Sequence, residues 1–213
     1  MVSSARNLFR KALTGSTKSF MKSSNEEKKF PEAPKKPLKI CCITWNVGNA
    51  NPKSLEGLLP VRSHHVECHD LFVFGFQEAS YGKVTLDANL SEIRKYLKKA
   101  LKSTQKHRYD EVSHLTLGQM KIFVFARRLL KNAIDQVHTV SEATGIGGVV
   151  GNKVRFSFSL AAFLFKKQKA LFKQGGLCVS MRLFGTTRIC FVSAHLNAHR
   201  GQKFVVRRND DVK

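Results

Sequence analysis

Four short apolar segments, each ending in polar side chains, constrain this 213-residue chain more than any other feature of its sequence. The four segments cover residues 40–46, 70–78, 144–153 and 191–199. Three of them have the length and composition of buried strands, and the other is rich in glycine. Because a strand end is where a layered enzyme places groups that point at a ligand, we predict that the four endings converge on one site.

The charge of the chain limits its partners. It contains 37 Lys and Arg against 15 Asp and Glu, a formal net charge of +22, while its hydrophobic fraction of 42% is ordinary for one large domain. Such an excess favours an anionic partner, which could be a phosphorylated ligand, a membrane surface or nucleic acid. Charge by itself says nothing about the fold.

The cysteines indicate a reducing compartment, and we expect a cytoplasmic protein. There are five, with no CxxC pair, so a disulfide framework is not predicted. Cys41, Cys42, Cys178 and Cys190 lie in apolar strand-like runs and are expected to be small core residues. The longest apolar runs, such as residues 160–165, are far too short to span a bilayer.

Composition divides the chain near residue 36. Up to Asn25 there is no acidic residue, and three prolines follow between positions 31 and 37. We therefore predict a basic, disordered tail over residues 1–36 and a folded domain over 37–213. In the alternative, Leu8, Phe9 and Leu13 form one face of a short basic helix, suited to a membrane surface or to organellar targeting.

The hydrophobic pattern predicts many strands and few helices. Strands are predicted over 38–47, 71–76, 109–117, 120–127, 133–140, 154–160, 177–183 and 187–193, and helices over 90–101 and 199–210. There is no strict alternation of strand and helix. This order favours stacked sheets with helices outside.

Three kinds of residue could carry chemistry. Asn46 and Glu78 follow apolar strands and offer the hard oxygen ligands that Mg²⁺ prefers, although polar residues also end many ordinary strands. The glycine-rich residues 144–153 could hold a phosphate with Lys153 as a point charge, or could be a simple turn. His195 could donate to a phosphoryl oxygen, or be structural.

The ordered motifs resemble those of a known family. They are Thr44-Trp45-Asn46-Val47, Phe76-Gln77-Glu78, Thr144-Gly145-Ile146 with Gly151-Asn152-Lys153, and the run from Ser193 through His195 to His199 with Arg207-Arg208-Asn209. Their order is similar to that in the inositol polyphosphate 5-phosphatases of the endonuclease/exonuclease/phosphatase superfamily. The resemblance covers roughly residues 38–211.

The resemblance implies an α+β fold, a four-layer α/β-sandwich in which two stacked mixed sheets are flanked by helices. It implies Mg²⁺-dependent removal of the 5-phosphate from phosphoinositide lipids or soluble inositol phosphates. Asn46 and Glu78 would bind the metal, and His195 would contact the scissile phosphate. Asn152, Lys153 and Asn197 would bind substrate. Basic surface would add peripheral contact with membranes, and no nucleic acid is expected.

The chain departs from the family pattern at two places. Two glycines usually follow the Asn-Lys pair, whereas Val154 follows Lys153 here. The later Gly-Asp-x-Asn, Pro-x-Trp-x-Asp-Arg and Asp-His motifs do not occur in residues 1–213, so we expect the N-terminal half of a catalytic domain, incomplete at the C-terminus and poorly active. Two alternatives stay open: a nuclease of the same superfamily, and a non-catalytic binder of phosphoinositide membranes.

Overall fold

The computed structural model describes residues 29–60, 68–80, 86–143 and 175–196, together with isolated positions between 201 and 209. These residues form seven strands and one long helix. In chain order the elements are β1 (Ile40–Asn46), β2 (Leu71–Gln77), α1 (Leu86–Thr104), β3 (Tyr109–Leu117), β4 (Met120–Arg127), β5 (Ile134–Ala143), β6 (Gly175–Leu183) and β7 (Thr187–His195). Two short 3₁₀ turns, Glu56–Leu58 and Arg128–Ala133, complete the described elements.

The first sheet has the strand order β1-β2-β4-β3. β1 and β2 are parallel, with Ile40 opposite Leu71 and Asn46 opposite Gln77, and the other pairs are antiparallel. Every residue of β2 is buried, because this strand is central in the sheet and covered on both faces. The parallel pairing of β1 with β2 makes both strands end at the same edge of the sheet.

The second sheet is antiparallel with the order β5-β6-β7. The strands predicted over 177–183 and 187–193 are confirmed and form a hairpin, with its turn at residues 184–186, where Phe184 and Gly185 have positive φ. Phe30, from the proline-rich segment, packs against this turn, and its ring also lies under the guanidinium of Arg182. Residues 1–28 lie outside the described part, so the predicted tail stays a prediction.

Two apolar cores define the layers. One lies between α1 and the first sheet and includes Phe74, Leu97 and Phe125, while the other lies between the two sheets and includes Val73, Leu177 and Met181. The helix therefore covers one face of the first sheet, and the second sheet covers the other. This arrangement confirms the predicted sandwich of stacked sheets. Among the described strands the first sheet is mixed, whereas the second, also predicted to be mixed, is antiparallel.

The strand and helix predictions agree with the described elements, with small shifts at their ends. α1 extends beyond the predicted helix over 90–101 at both ends, and β6 begins earlier than predicted, at Gly175. The predicted strand over 154–160 lies outside the described residues, and the helix over 199–210 is described only at isolated helical positions. The outer helix layer over the second sheet thus stays a prediction.

The prediction for the cysteines was partly wrong. Cys178 is buried, Cys41 and Cys190 are partly buried, and Cys42 is exposed. Cys42 is exposed because β1 is the edge strand of the first sheet, so alternate residues are left uncovered. Across the described ranges, no helix has both the length and the apolar character that a membrane span requires.

Candidate functional site

Three of the four polar endings meet at one edge of the sandwich. The amide Nδ2 of Asn46 lies 3.2 Å from Oε1 of Glu78, and Nε2 of His195 lies 3.8 Å from the same oxygen. Asn46 and Glu78 meet because β1 and β2 run parallel, and His195 approaches from β7 in the facing sheet. The predicted convergence is confirmed for these three residues. Residues 144–153 lie outside the described part, as do Asn152, Lys153 and Asn197.

The orientation of the Asn46 amide is set by the backbone that follows β1. The N–H of Gly48 donates to Oδ1 of Asn46 at 3.0 Å, which leaves Nδ2 to donate to Glu78. A carbonyl oxygen has two lone pairs, so Oδ1 keeps one for another partner. Asn46 is exposed, and the Glu78 side chain is 35% exposed, so both groups are accessible to a ligand.

The backbone at Glu78 is held in an uncommon conformation. Its φ is +49°, a left-handed value that few residues other than glycine adopt. Hydrogen bonds hold this turn from two sides: the N–H of Asn49 donates to the carbonyl of Glu78 at 2.6 Å, and the N–H of Ala79 donates to that of Gln119 at 2.9 Å. Strained backbone of this kind persists only where its surroundings over-determine it, and it is common at functional sites.

Behind the three site residues lies a small polar cluster of Thr44, Gln77 and Ser193, which we call the amide–hydroxyl cluster. Nε2 of Gln77 is 3.1 Å from Oγ1 of Thr44 and 3.3 Å from Oγ of Ser193. Each member precedes a site residue by one or two positions. The cluster therefore joins the three strand ends across both sheets. Sequence reasoning included these residues in motifs but assigned them no role.

Lys121 is a buried cation that the sequence analysis missed. Its side chain is fully buried, and Nζ donates to the carbonyl of Ala79 at 2.5 Å. Burial lowers the pKa of Lys121 to about 8, because the apolar surroundings disfavour the charged form. The signal was present in the alternation of β4, which places Lys121 on the same face as Phe123 and Phe125.

A glycine pair lies beside the site. Gly175 and Gly176 open β6 and stand opposite His195 and Ala194 in β7. A Cβ atom at Gly175 would collide with the carbonyl oxygen of Glu142, and φ there is +152°, so the position requires glycine. No glycine pair directly follows Lys153, because Val154 stands there. A pair is nevertheless present after residues 154–174, at the strand start that faces His195.

The donor set suits a hard divalent cation. Glu78 supplies a carboxylate and Asn46 an amide oxygen, and Mg²⁺ commonly takes one or two protein oxygens and keeps several waters. Within residues 29–60, 68–80, 86–143 and 175–196, no three side chains of His, Cys, Asp or Glu gather as a metal site. An enclosed zinc site of four protein ligands is therefore not found there.

A separate cavity of about 470 Å³ lies at the opposite edge of the sandwich. It is lined by the proline-rich segment together with Asp70, His107, Arg127 and Phe184. Asp70 there accepts hydrogen bonds from Arg127 and from the backbone N–H of Lys39, so its charge is already compensated. The Asn46–Glu78–His195 site is instead an open edge that a ligand would approach from solvent.

The chain is similar in sequence to known proteins. Residues 43–213 match the model of endonuclease/exonuclease/phosphatase family 2. Over 175 residues the chain is 27% identical to the zebrafish (Danio rerio) phosphatidylinositol 3,4,5-trisphosphate 5-phosphatase 2B, covering 78% of this chain and 12% of the relative. It is 24% identical to mouse (Mus musculus) inositol polyphosphate 5-phosphatase K over 171 residues, covering 79% of this chain and 32% of the relative.

A solved structure has the same fold. The inositol polyphosphate 5-phosphatase domain of a synaptojanin, in complex with inositol (1,4)-bisphosphate and a calcium ion, matches with a TM-score of 0.60 at 20% sequence identity. The match covers 82% of this chain and 44% of that one. This chain thus spans less than half the length of each of the three proteins compared here.

Proposed function

Because the chain belongs to endonuclease/exonuclease/phosphatase family 2, we propose that it takes part in Mg²⁺-dependent removal of the 5-phosphate from an inositol phosphate. The observation that carries the proposal is the meeting of Asn46, Glu78 and His195 at one edge of the sandwich. Divalent-metal dependence is general among phosphatases of this superfamily, and the synaptojanin domain holds calcium. The choice of Mg²⁺ follows from the oxygen donors.

In this proposal Glu78 and the free lone pair of the Asn46 oxygen hold the ion. When bound, the cation offsets negative charge on the phosphoryl group and orients it for attack by water. His195, whose Nε2 faces Glu78, donates an N–H to a phosphoryl oxygen and steadies the charge that develops there. The amide–hydroxyl cluster joins the strand ends that carry these three side chains, which limits movement of the strands as substrate binds.

The proposed substrate class rests on the names of the relatives and on the net charge of this chain. The relatives are named for phosphoinositides and inositol phosphates, and the synaptojanin domain binds inositol (1,4)-bisphosphate. A net charge of +22 suits such polyanions, and it also suits peripheral contact with anionic membranes. We therefore propose a cytoplasmic protein that acts on the lipid or the soluble form, with Asn152, Lys153 and Asn197 on the substrate phosphates.

The test is metal and ligand binding measured by calorimetry on the 213-residue protein, with phosphate release as a second readout. We expect Mg²⁺ to be required for binding of inositol (1,4)-bisphosphate. Glu78→Gln or Asn46→Ala should weaken Mg²⁺ binding by at least the roughly 10- to 100-fold that is usual when a group supporting a metal ligand is removed. His195→Ala should leave Mg²⁺ binding in place and weaken inositol phosphate binding. The matched control is Glu56→Gln. The carboxylate of Glu56 accepts a hydrogen bond from Ser103, near the C-terminal end of α1.

The same preparation separates the two alternatives. Cleavage of duplex DNA that exceeds phosphate release from inositol 1,4,5-trisphosphate would favour a nuclease. Co-sedimentation with phosphoinositide vesicles that survives Asn46→Ala and Glu78→Ala, without phosphate release, would favour a membrane binder. Equal binding of inositol (1,4)-bisphosphate with and without Mg²⁺ would overturn the proposed function.

A further inference from the structure

Two cysteines lie side by side on the outer face of the second sheet. Along β6, Leu177, Val179 and Met181 point toward the first sheet, so Cys178 points the other way. Along β7, Phe191 points inward, while Cys190 packs with Cys178 on the outer face. Their Sγ atoms are 2.9 Å apart, against roughly 2.05 Å in an S–S bond.

The strand register explains this closeness. Cys178 stands opposite Val192 and Cys190 stands opposite Ser180, so the two cysteines are diagonal neighbours in an antiparallel pair. Both thiols are free, and their sulfur atoms are already in contact in the reduced protein. A bond across the diagonal would pull two hydrogen-bonded strands slightly out of register, so we expect it to be readily reduced.

The two thiols differ in exposure and acidity. Cys178 is fully buried, whereas Cys190 is partly exposed and lies beside Val192, which is half exposed. The hydrogen bond from Cys178 lowers the pKa of Cys190, and the same bond together with burial raises the pKa of Cys178. Cys190 is therefore the more accessible sulfur and the one with the larger share of thiolate.

We propose that Cys178 and Cys190 form a peroxide-sensitive pair that closes a reversible disulfide between β6 and β7. In the first step the Cys190 thiolate attacks a peroxide; the O–O bond breaks, sulfur is oxidised to a sulfenic acid and hydroxide leaves. In the second step the Cys178 sulfur attacks the Cys190 sulfur. The S–S bond forms, the S–O bond breaks, and the hydroxyl leaves with the Cys178 proton as water.

The cysteine pair lies in the two strands whose ends meet at the candidate site. β6 begins at Gly175 and β7 ends at His195, and these residues stand opposite each other at the candidate site. A bond between Cys178 and Cys190 lies a few residues behind that edge, in the same two strands. The inference rests on the two thiols alone, so it does not depend on the proposed phosphatase function.

Mass spectrometry of the whole 213-residue protein tests the proposal. The reduced protein is treated with hydrogen peroxide, blocked with N-ethylmaleimide and digested with trypsin without reductant. We expect the peptides 174–182 and 189–200, which carry Cys178 and Cys190, to be joined through one disulfide and to separate on treatment with dithiothreitol. Five blocked thiols after peroxide, or a bond mapped to another pair such as Cys41 and Cys42, would overturn it.

Two variants assign the order of attack. In Cys178→Ala the sulfenic acid on Cys190 has no partner, so we expect dimedone to label Cys190. In Cys190→Ala we expect no dimedone on Cys178 and no joined peptides. Cys42→Ala, at an exposed thiol, is the control and should behave as the unsubstituted protein. Labelling of Cys178 in the second variant would contradict the assigned order. If either variant fails to fold, the peptide map of the unsubstituted protein still decides.

Discussion

The amide nitrogen of Asn46 donates to the carboxylate of Glu78 across 3.2 Å, although 32 positions separate the two residues in the chain. Their meeting follows from the parallel pairing of β1 and β2, which sets Asn46 opposite Gln77 and places Glu78 one residue beyond. A site built this way depends on the strands behind it.

Replacing Gln77 with leucine should weaken the candidate site, although Gln77 is not one of the three site residues. The hydroxyls of Thr44 and Ser193 would lose the amide that joins them. Thr44 is exposed, but Ser193 is buried, and a buried hydroxyl left without its partner costs about 1–3 kcal/mol. We also expect Mg²⁺ binding to weaken about tenfold, as is usual when groups supporting metal ligands are removed. Urea unfolding and calorimetry measure the two effects.

The matched control for this variant is Gln105→Leu. Gln105 lies just beyond the C-terminal end of α1, and its side-chain amide donates to the carbonyl of Pro60. It should leave Mg²⁺ binding unchanged. If Gln77→Leu lowers the free energy of unfolding but Mg²⁺ affinity stays the same, the amide–hydroxyl cluster supports the fold and does not position the site.

Replacing Lys121 with methionine should change how stability depends on pH. The pKa of Lys121 is lowered by burial to about 8 in the folded protein, against 10.5 in an unfolded chain. Between these values the unfolded state binds more protons, so the stability of the unsubstituted protein rises with pH. Relative to Lys121→Met, that rise should total about 3 kcal/mol from pH 8 to 10.5.

Urea unfolding of both proteins at several pH values measures the difference in their free energies of unfolding. Other titrating groups contribute equally to both proteins, so their effect cancels in the difference. Lys99→Met, at an exposed position on α1, is the matched control. A constant difference between Lys121→Met and the unsubstituted protein across this range would mean that Lys121 keeps an ordinary pKa in the fold.

Adding a methyl group at Gly75 should force the two sheets apart. A Cβ atom there would lie 2.6 Å from Oγ and 3.1 Å from Cβ of Ser193 in the facing sheet. Gly75→Ala should therefore lower the free energy of unfolding by about 1–3 kcal/mol. Because the clash is with one side chain, Ser193→Gly should restore part of that loss, and a double-mutant cycle measures the coupling.

Gly57→Ala provides the comparison, since a Cβ atom at Gly57 meets nothing within 4 Å. It should be nearly neutral. Additive effects of Gly75→Ala and Ser193→Gly would show that the cost at Gly75 arises elsewhere than at the contact between the sheets.

Deleting residues 154–174 should strengthen inositol phosphate binding. The deletion joins Asn152-Lys153 directly to Gly175-Gly176, which restores the order expected from the family resemblance. It would also place the Lys153 charge close to the strand start that faces His195. We expect a several-fold tighter binding of inositol (1,4)-bisphosphate by calorimetry.

Deletion of residues 2–22 is the matched control, because it removes a segment of equal length that also carries five basic side chains and no acidic ones. It should leave the affinity unchanged or slightly reduced. Weaker binding after deletion of 154–174, in a protein that still folds by circular dichroism, would show that this segment contributes to the site.

The sequence alone determined the strands, the helix and the type of sandwich, because these follow from local patterns of apolar residues. The all-buried run of β2, the hairpin around Gly118-Gln119 and the apolar stripe of α1 were each readable from their own residues. Polar residues at three strand ends, together with motif order, also predicted that Asn46, Glu78 and His195 would meet.

Only the tertiary structure decided which residues support that meeting. Gln77 reaches Ser193 across 116 positions, and Lys121 reaches the carbonyl of Ala79 across 42. The contact between Cys178 and Cys190 depends on the register of two strands, and the exposure of Cys42 on its place at a sheet edge. Contacts between distant parts of the chain depend on which strands become neighbours in each sheet and on how the two sheets face each other, and a local pattern of apolar residues does not specify either.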